Sequence, residues 1–448
     1  MKIHRSKKSQ TNRPARTLAA GIAALAIAAL GAGCTGTTDD PDPTEPAATS
    51  PNTTETVELE FWGWVPGMQG AVDLWNDQNP DLQVNFHSMT GDDVQKIDAL
   101  LDAGTGPDIV MVSTHNLPDY VITGRVQDIT AHVSAAQSQF TPSGWAGVTF
   151  DGKVYATPED TGPGAVMYRL DLFTEAGLEF PQTWDAYLAA ARTLKERGIA
   201  IANIDPLEIS QWILEITQAG GTWFDTEADQ WVVSVNDQAS KIVADRWQTL
   251  LDEELVTTEV TWTPEYWSAF ADGRVASILH AAWFPVLLAE NAADTAGNWR
   301  VAPMPLNGTA EVYGNSGGSV VAVSNTAKDV PGAAAFAVWL NSDPAAQDIL
   351  VEQGGVFPDS INGLASAKML APQEFFGGQV VNEVYLAAAD KRATNWVDGP
   401  NYAFASSAIS EEVAKAVAGE GTVAQALDRA QQRTVEDLVA RGFDVAGQ

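Results

Sequence analysis

The stretch at residues 150–187, FDGKVYATPEDTGPGAVMYRLDLFTEAGLEFPQTWDAY, decides how the rest of the chain is read. Asp151-Gly152 makes a tight turn, and residues 153–157 then alternate with the two-residue period of a strand. Pro158 ends its pairing, because proline has no N–H to give to a ladder. A polar segment, Glu159 to Gly162, separates it from a second strand at 165–169. Two helical patterns follow: 170–176, closed by Gly177, and one that Thr183 caps with Asp185 in its first turn. Two strands joined by a short polar crossover suit a chain that passes from one sheet to another. We read residues 158–162 as a hinge between two lobes.

Outward from the hinge, the N-terminus is of a different kind. Lys2, Arg5, Lys7, Lys8, Arg13 and Arg16 precede an apolar run from Leu18 to Leu30 and then Gly31-Ala32-Gly33. Residues 1–33 read as a secretory signal peptide, too short to span a membrane. Cys34, the sole cysteine, follows directly and is expected to be the lipidated N-terminus of a bacterial lipoprotein, although Leu30 lies one place further upstream than is usual. Residues 34–56 join that anchor to a tether rich in Thr, Pro, Asp and Glu, which buries too little to fold and would reach roughly 25–30 Å. The remaining chain exceeds what one hydrophobic core supports, so two lobes are expected: 57–158 with 318–356, and 161–316 with 358–448. The formal net charge is −33, and every leader charge is basic, so the rest is more negative still. Such a surface repels nucleic acid and anionic lipid headgroups.

Taken in order, residues 57–64 alternate as a strand, Val72 and Trp75 mark a helix, and residues 82–87 form a second strand. Val94, Ile97, Leu100 and Leu101 give a helical stripe before the apolar strand IVMV at 109–112. This β-α-β-α-β order predicts an α/β fold in which this part forms a parallel, open, doubly wound sheet, whose ligands bind beyond the carboxyl ends of the strands. Past the hinge, helices are expected at 211–218, from the Asp237 cap through Leu250, and from Pro331 and Pro344. Strands are expected at 275–279, 300–304 and 319–324. Second and third crossings are placed at Gly317-Gly318 and Phe357-Pro358. Helical patterns at 375–390, 403–418 and 423–440 finish the chain.

Several runs recur in a telling order: FWGW at 61–64, GTGPDIVMV at 104–112, DGKVYATPEDTG at 151–162 and YRLDLFTEAGLEFPQTWDAY at 168–187. AFADGRVASILHAAW at 269–283, APMP at 302–305, SGGSVVAVS at 316–324 and AAAFAVWL at 333–340 complete the set. Together they resemble the extracellular solute-binding proteins of ABC importers, in the carbohydrate-uptake branch that includes maltose-binding proteins. The resemblance runs from Val57 to about Val439. It implies a two-lobed, type II periplasmic-binding-protein-like fold with three interlobe crossings, and no cofactor or metal. Trp283 falls where the family places an aromatic platform for a sugar ring, although core filling is the commoner role of a single Trp. Thr114 and His115 fall where the first lobe presents polar groups, with His115 in place of the acidic residue of maltose binders. Trp64 after the first strand, Asp160 on the hinge as a hydroxyl acceptor, and Gly317 and Gly318 as close-approach backbone are further candidates. So are Arg392, Trp396 and Tyr402 in KRATNWVDGPNY, and, more weakly, Asp92. Trp184, Trp247, Trp299 and Trp339 sit in helix or strand patterns and are expected in the core.

The resulting expectation is a monomeric, non-catalytic receptor on the extracellular face of the membrane. It would be held there by the lipid on Cys34, take a mono- or oligosaccharide and pass it to ABC permease subunits. Trp is as frequent as Phe (15 each) and nearly twice as frequent as Tyr (8), a bias that suits sugar stacking or a Trp-rich core. The alternatives are a secreted glycoside hydrolase using two carboxylates, a structural lipoprotein, or a binder of another polar solute. With 58 acidic residues some carboxylate pair is nearly inevitable, so the hydrolase gains nothing from the count. No HExxH, P-loop or CxxC motif is present.

Overall fold

A computed structural model describes residues 56–447; the leader, Cys34 and nearly all of the tether lie outside the described residues. The principal elements of the first lobe are β1 (Val57–Gly63), α1 (Met68–Gln78), β2 (Leu82–Ser88), α2 (Gly91–Asp102), β3 (Ile109–Ser113) and β4 (Ala156–Pro158). The second lobe contributes β5 (Gly164–Arg169), α3 (Trp184–Lys195), α4 (Ile209–Gln218), α5 (Gln238–Asp252), α6 (Pro264–Ala271), β6 (Ser277–Ala281), α7 (Phe284–Asn291) and β7 (Trp299–Pro303). The chain returns through β8 (Ser319–Val323), α8 (Val330–Ser342) and α9 (Pro344–Gly354). It then crosses again to α10 (Val381–Asp390), α11 (Tyr402–Val417) and α12 (Val423–Ala440). Among the described residues no helix is long and apolar enough to cross a membrane.

The first sheet has the order β2-β1-β3-β8-β4. β1 runs parallel to β2 and β3, as the alternation of strand and helix required, whereas β8 is antiparallel to both β3 and β4. The second lobe is built differently. Its central sheet, β6-β5-β7, pairs β5 antiparallel with both neighbours. An apolar run buried on both faces reads alike in either direction, so composition alone did not carry the sense of these strands. The expected strand at 153–157 is two pieces. Lys153–Val154 pairs back on Thr149–Phe150, and only β4 joins the main sheet. The expected helix at 375–390 is broken by Gly377 and Gly378, both at positive φ, and restarts as α10.

Alternation along β5 builds the second lobe on both sides of its sheet. Ala165 and Met167 join one core with Phe270, Phe284 and Trp299, while Val166 joins the other with Trp212, Leu214 and Trp247. Fully burying side chains of this size contributes about 1.5–3 kcal/mol each. In the first lobe, Phe61 of β1 and Trp75 of α1 meet Phe336 of α8 edge-on at 5.5 and 5.4 Å. Trp184, Trp247 and Trp299 are buried, and Trp339 is half-buried against the first core. One polar cluster is set deep in the second lobe. Arg246 reaches Glu215 at 2.5 Å and lies 4.0 Å over the Trp184 ring, while Trp247 donates its indole N–H to Glu215 at 2.9 Å. Both charges are nearly inaccessible, at 7 % and 2 % exposure, so each depends on the other to offset its lost hydration. Arg246→Ala should therefore lower stability by about 3–5 kcal/mol, read as a shift in the urea midpoint. Replacing both partners, Glu215→Leu with Arg246→Met, should cost far less.

Candidate ligand-binding site

The three crossings lie side by side and are tied together by backbone. Thr161 donates its N–H to Phe357 O, and Asp359 donates to Glu159 O, each at 3.0 Å. The returning segment joins them: Glu159 N–H reaches Ser319 O at 3.0 Å, and Ser316 N–H reaches Gly162 O at 2.8 Å. The Asp160 carboxylate accepts from Ser319 N–H at 2.6 Å. This closeness explains two glycines. A Cβ on Gly162 would sit 1.8 Å from Ser316 O, and Gly318, at φ +121, would bring one to 2.6 Å from Asp160 O.

Two cavities open on this hinge and share Asp160 and Ser319. The smaller, about 270 Å³, is walled by Trp64 of the first lobe and Trp283 of the second, with Gly318 behind them. Trp283 lies two residues past β6, at the N-cap of α7. The larger cavity, about 380 Å³, takes in Thr114, His115, Thr161, Asn315, Gly317, Arg392, Trp396 and Asp398. Arg392 donates to Thr161 Oγ1 at 3.4 Å. His115 is buried and joined on both ring nitrogens. Gly317 N–H donates to Nε2 at 3.2 Å, so Nδ1 carries the ring proton toward Asp398 Oδ1 at 2.6 Å. Trp396 donates its indole N–H to the same oxygen at 2.7 Å. His115 thus clasps the second lobe. Tyr402 lines neither cavity: it is 6 % exposed and stacks on both His115 and Trp223. Asp92 lies in the first turn of α2, and its side chain is outside what is described.

Sequence reasoning missed Asp398 and Asn315, which line the larger cavity. Asp398 could have been found, since it stands two residues from Trp396 in a loop already singled out. Glu208 opens α4, where its carboxylate caps Ser210 N–H at 3.0 Å, and burial pushes its pKa up.

A family model described as bacterial extracellular solute-binding protein matches residues 63–347. The chain belongs to that family. Among similar proteins, a lactose-binding protein of Rhizobium radiobacter is 26 % identical over 72 % of this chain and 80 % of its own length. Among solved structures, the galacto-N-biose/lacto-N-biose I-binding protein of an ABC transporter from Bifidobacterium longum, in complex with lacto-N-biose, is 29 % identical. It superposes with a TM-score of 0.81 over 88 % of this chain and 99 % of its own. A binding protein associated with an ABC transporter of B. animalis subsp. lactis, in complex with β-1,6-galactobiose, is 27 % identical, with a TM-score of 0.80 over 87 % and 99 %. The type II two-lobed fold is that of these proteins.

The hinge of this solute-binding protein holds an unusual charge arrangement. Glu159 is wholly buried, neither carboxylate oxygen has a partner, and it lines neither cavity. Burial, with the Asp160 charge beside it, raises its pKa well above 4.5, so the folded protein keeps it protonated. Burial also pushes Asp160 up to about 7, with Asp359 adding to the effect and the Ser319 N–H opposing it. The linkage runs one way. As pH climbs past 4.5, the unfolded chain ionises Glu159 while the fold holds its proton, so stability falls until the folded pKa is reached. Glu159→Gln should therefore raise Tm by at least about 2 °C at pH 8, with the gain shrinking to nothing near pH 4. Scanning calorimetry across that range checks it.

Proposed function

We propose that the protein is an extracellular receptor that takes a sugar or oligosaccharide between its lobes and delivers it, unaltered, to an ABC importer. In this reading the lipid on Cys34 holds it at the outer face of the bacterial membrane, and the tether carries the lobes clear of the surface. The observation that carries the proposal is the placing of Trp64 and Trp283, from different lobes, around one cavity floored by Asp160. Indole faces suit the C–H surface of a pyranose, and the carboxylate and neighbouring backbone suit its hydroxyls. A solute that touches both walls binds the closed arrangement better than the open one, and that difference is what a permease would read. The sugar complexes of the two Bifidobacterium proteins support the substrate class.

The test is a thermal-shift and tryptophan-fluorescence screen of the purified protein against lactose, lacto-N-biose, β-1,6-galactobiose and other saccharides. A sugar at a hundred times its Kd should add about 2.7 kcal/mol of stability. Trp283→Ala should weaken binding by about tenfold or more. Chromatography should recover the sugar intact. Hydrolysis products would instead favour a glycosidase, and a shift with a non-sugar solute alone would change the substrate class.

A further inference from the structure

The segment 114–123 of the first lobe faces two ways. Leu117, Tyr120 and Val121 pack into the first lobe's own core. His115, Asp119 and Ile122, at helical spacing on another face, meet the second lobe. His115 is bonded to Asp398 and stacked on Tyr402, and Ile122 packs half-buried against the second lobe's core. Asp119 Oδ1 accepts from Arg441 Nη1 at 3.1 Å. Neither Asp119 nor Arg441 lines either cavity on the hinge.

Both ends of that ion pair are held in place by their own lobes. Arg441 caps the C-terminus of α12, where a cation suits the helix dipole. Its Nε reaches Asp437 at 2.8 Å, a carboxylate that Asn401 also holds at 2.9 Å. Asp119 meets Arg125 at 3.4 Å, and Arg125 is forked onto Asp102 at 2.8 and 2.9 Å. His115 lines the larger cavity together with Asp160 of the hinge, and Asp119 lies one helical turn further along the same face. Lobes that part about the crossings therefore draw both contacts apart.

We propose that segment 114–123 is a latch between the lobes, and that its Asp119–Arg441 pair, outside both cavities, sets part of the ligand affinity by favouring the closed arrangement. It follows that even an uncharged ligand binds more weakly as salt rises, because salt screens the pair. The choice of a sugar as probe rests on the function proposed above; the latch itself does not.

Titration calorimetry with lactose, lacto-N-biose and β-1,6-galactobiose, and small-angle X-ray scattering of the protein alone, test it. In about 20 mM NaCl, Arg441→Gln should bind the tightest of these sugars about two- to fivefold more weakly than the wild type, the range of a partly exposed ion pair. Arg441→Lys should recover most of the loss, and adding Asp119→Asn to Arg441→Gln should cost little more. Raising NaCl to about 500 mM should bring the wild type to the level of Arg441→Gln and leave that variant unchanged. The Tm of Arg441→Gln should stay within about 2 °C of the wild type, since the side chain is 40 % exposed. Arg441→Glu, which sets like charges together, should have a larger radius of gyration than the wild type. An Arg441→Gln variant with the affinity of the wild type, or with its salt dependence, overturns the latch and leaves the sugar reading intact. If none of the sugars binds, the sugar reading falls and scattering decides the latch: a larger radius for Arg441→Glu upholds it, and an unchanged one overturns it.

Discussion

Everything in this fold depends on how closely the three passages between the lobes are bound to one another. The amide of Ser319 on the Asp160 carboxylate is the tightest of those ties, and the backbone bonds of Glu159, Thr161 and Asp359 flank it. Because these bonds run between crossings, and not within one lobe, relative motion of the lobes has to be taken up by a few φ/ψ angles in that bundle. The cost of the arrangement is visible in its carboxyls. Glu159 and Asp160 are placed where ionised oxygens lose their hydration, and the fold answers by keeping a proton on Glu159.

Each lobe is stiff for an ordinary reason. The second is packed on both faces of a three-stranded sheet, and the first around five strands with α8 laid against Phe61. Rigid bodies joined by a narrow hinge convert a small contact at the cleft into a large displacement of the walls. The walls also touch one another directly: His115 with Asp398 at 2.6 Å, and Asp119 with Arg441 at 3.1 Å. A solute entering the larger cavity meets the first of these, so its hydroxyls compete with or join a bond that already exists.

Much of this was legible in the chain. Caps at Thr183 and Asp237 accept the amides they were placed to accept, because a short polar side chain before an apolar period has little else to do. Strand direction was not legible in SVVAVS, which is equally apolar read either way. In the cleft, residues tied to a motif come together: Trp64, His115, Asp160, Trp283, Arg392 and Trp396 all line one cavity or the other. Tyr402 was grouped with them by its loop, yet it is covered by two neighbouring rings, a matter of tertiary packing that local sequence does not carry.

The order in which the two sheets can close follows from one strand. β8 sits between β3 and β4 in the first sheet, so β4 has no partner in that sheet until residues 319–323 have been made. The sheet of the second lobe needs nothing beyond Pro303. The half that begins later can therefore complete its sheet sooner, while β1 to β3 wait with an open edge. Such long-range closure slows folding and exposes that edge meanwhile, which favours keeping the chain extended until synthesis is well advanced.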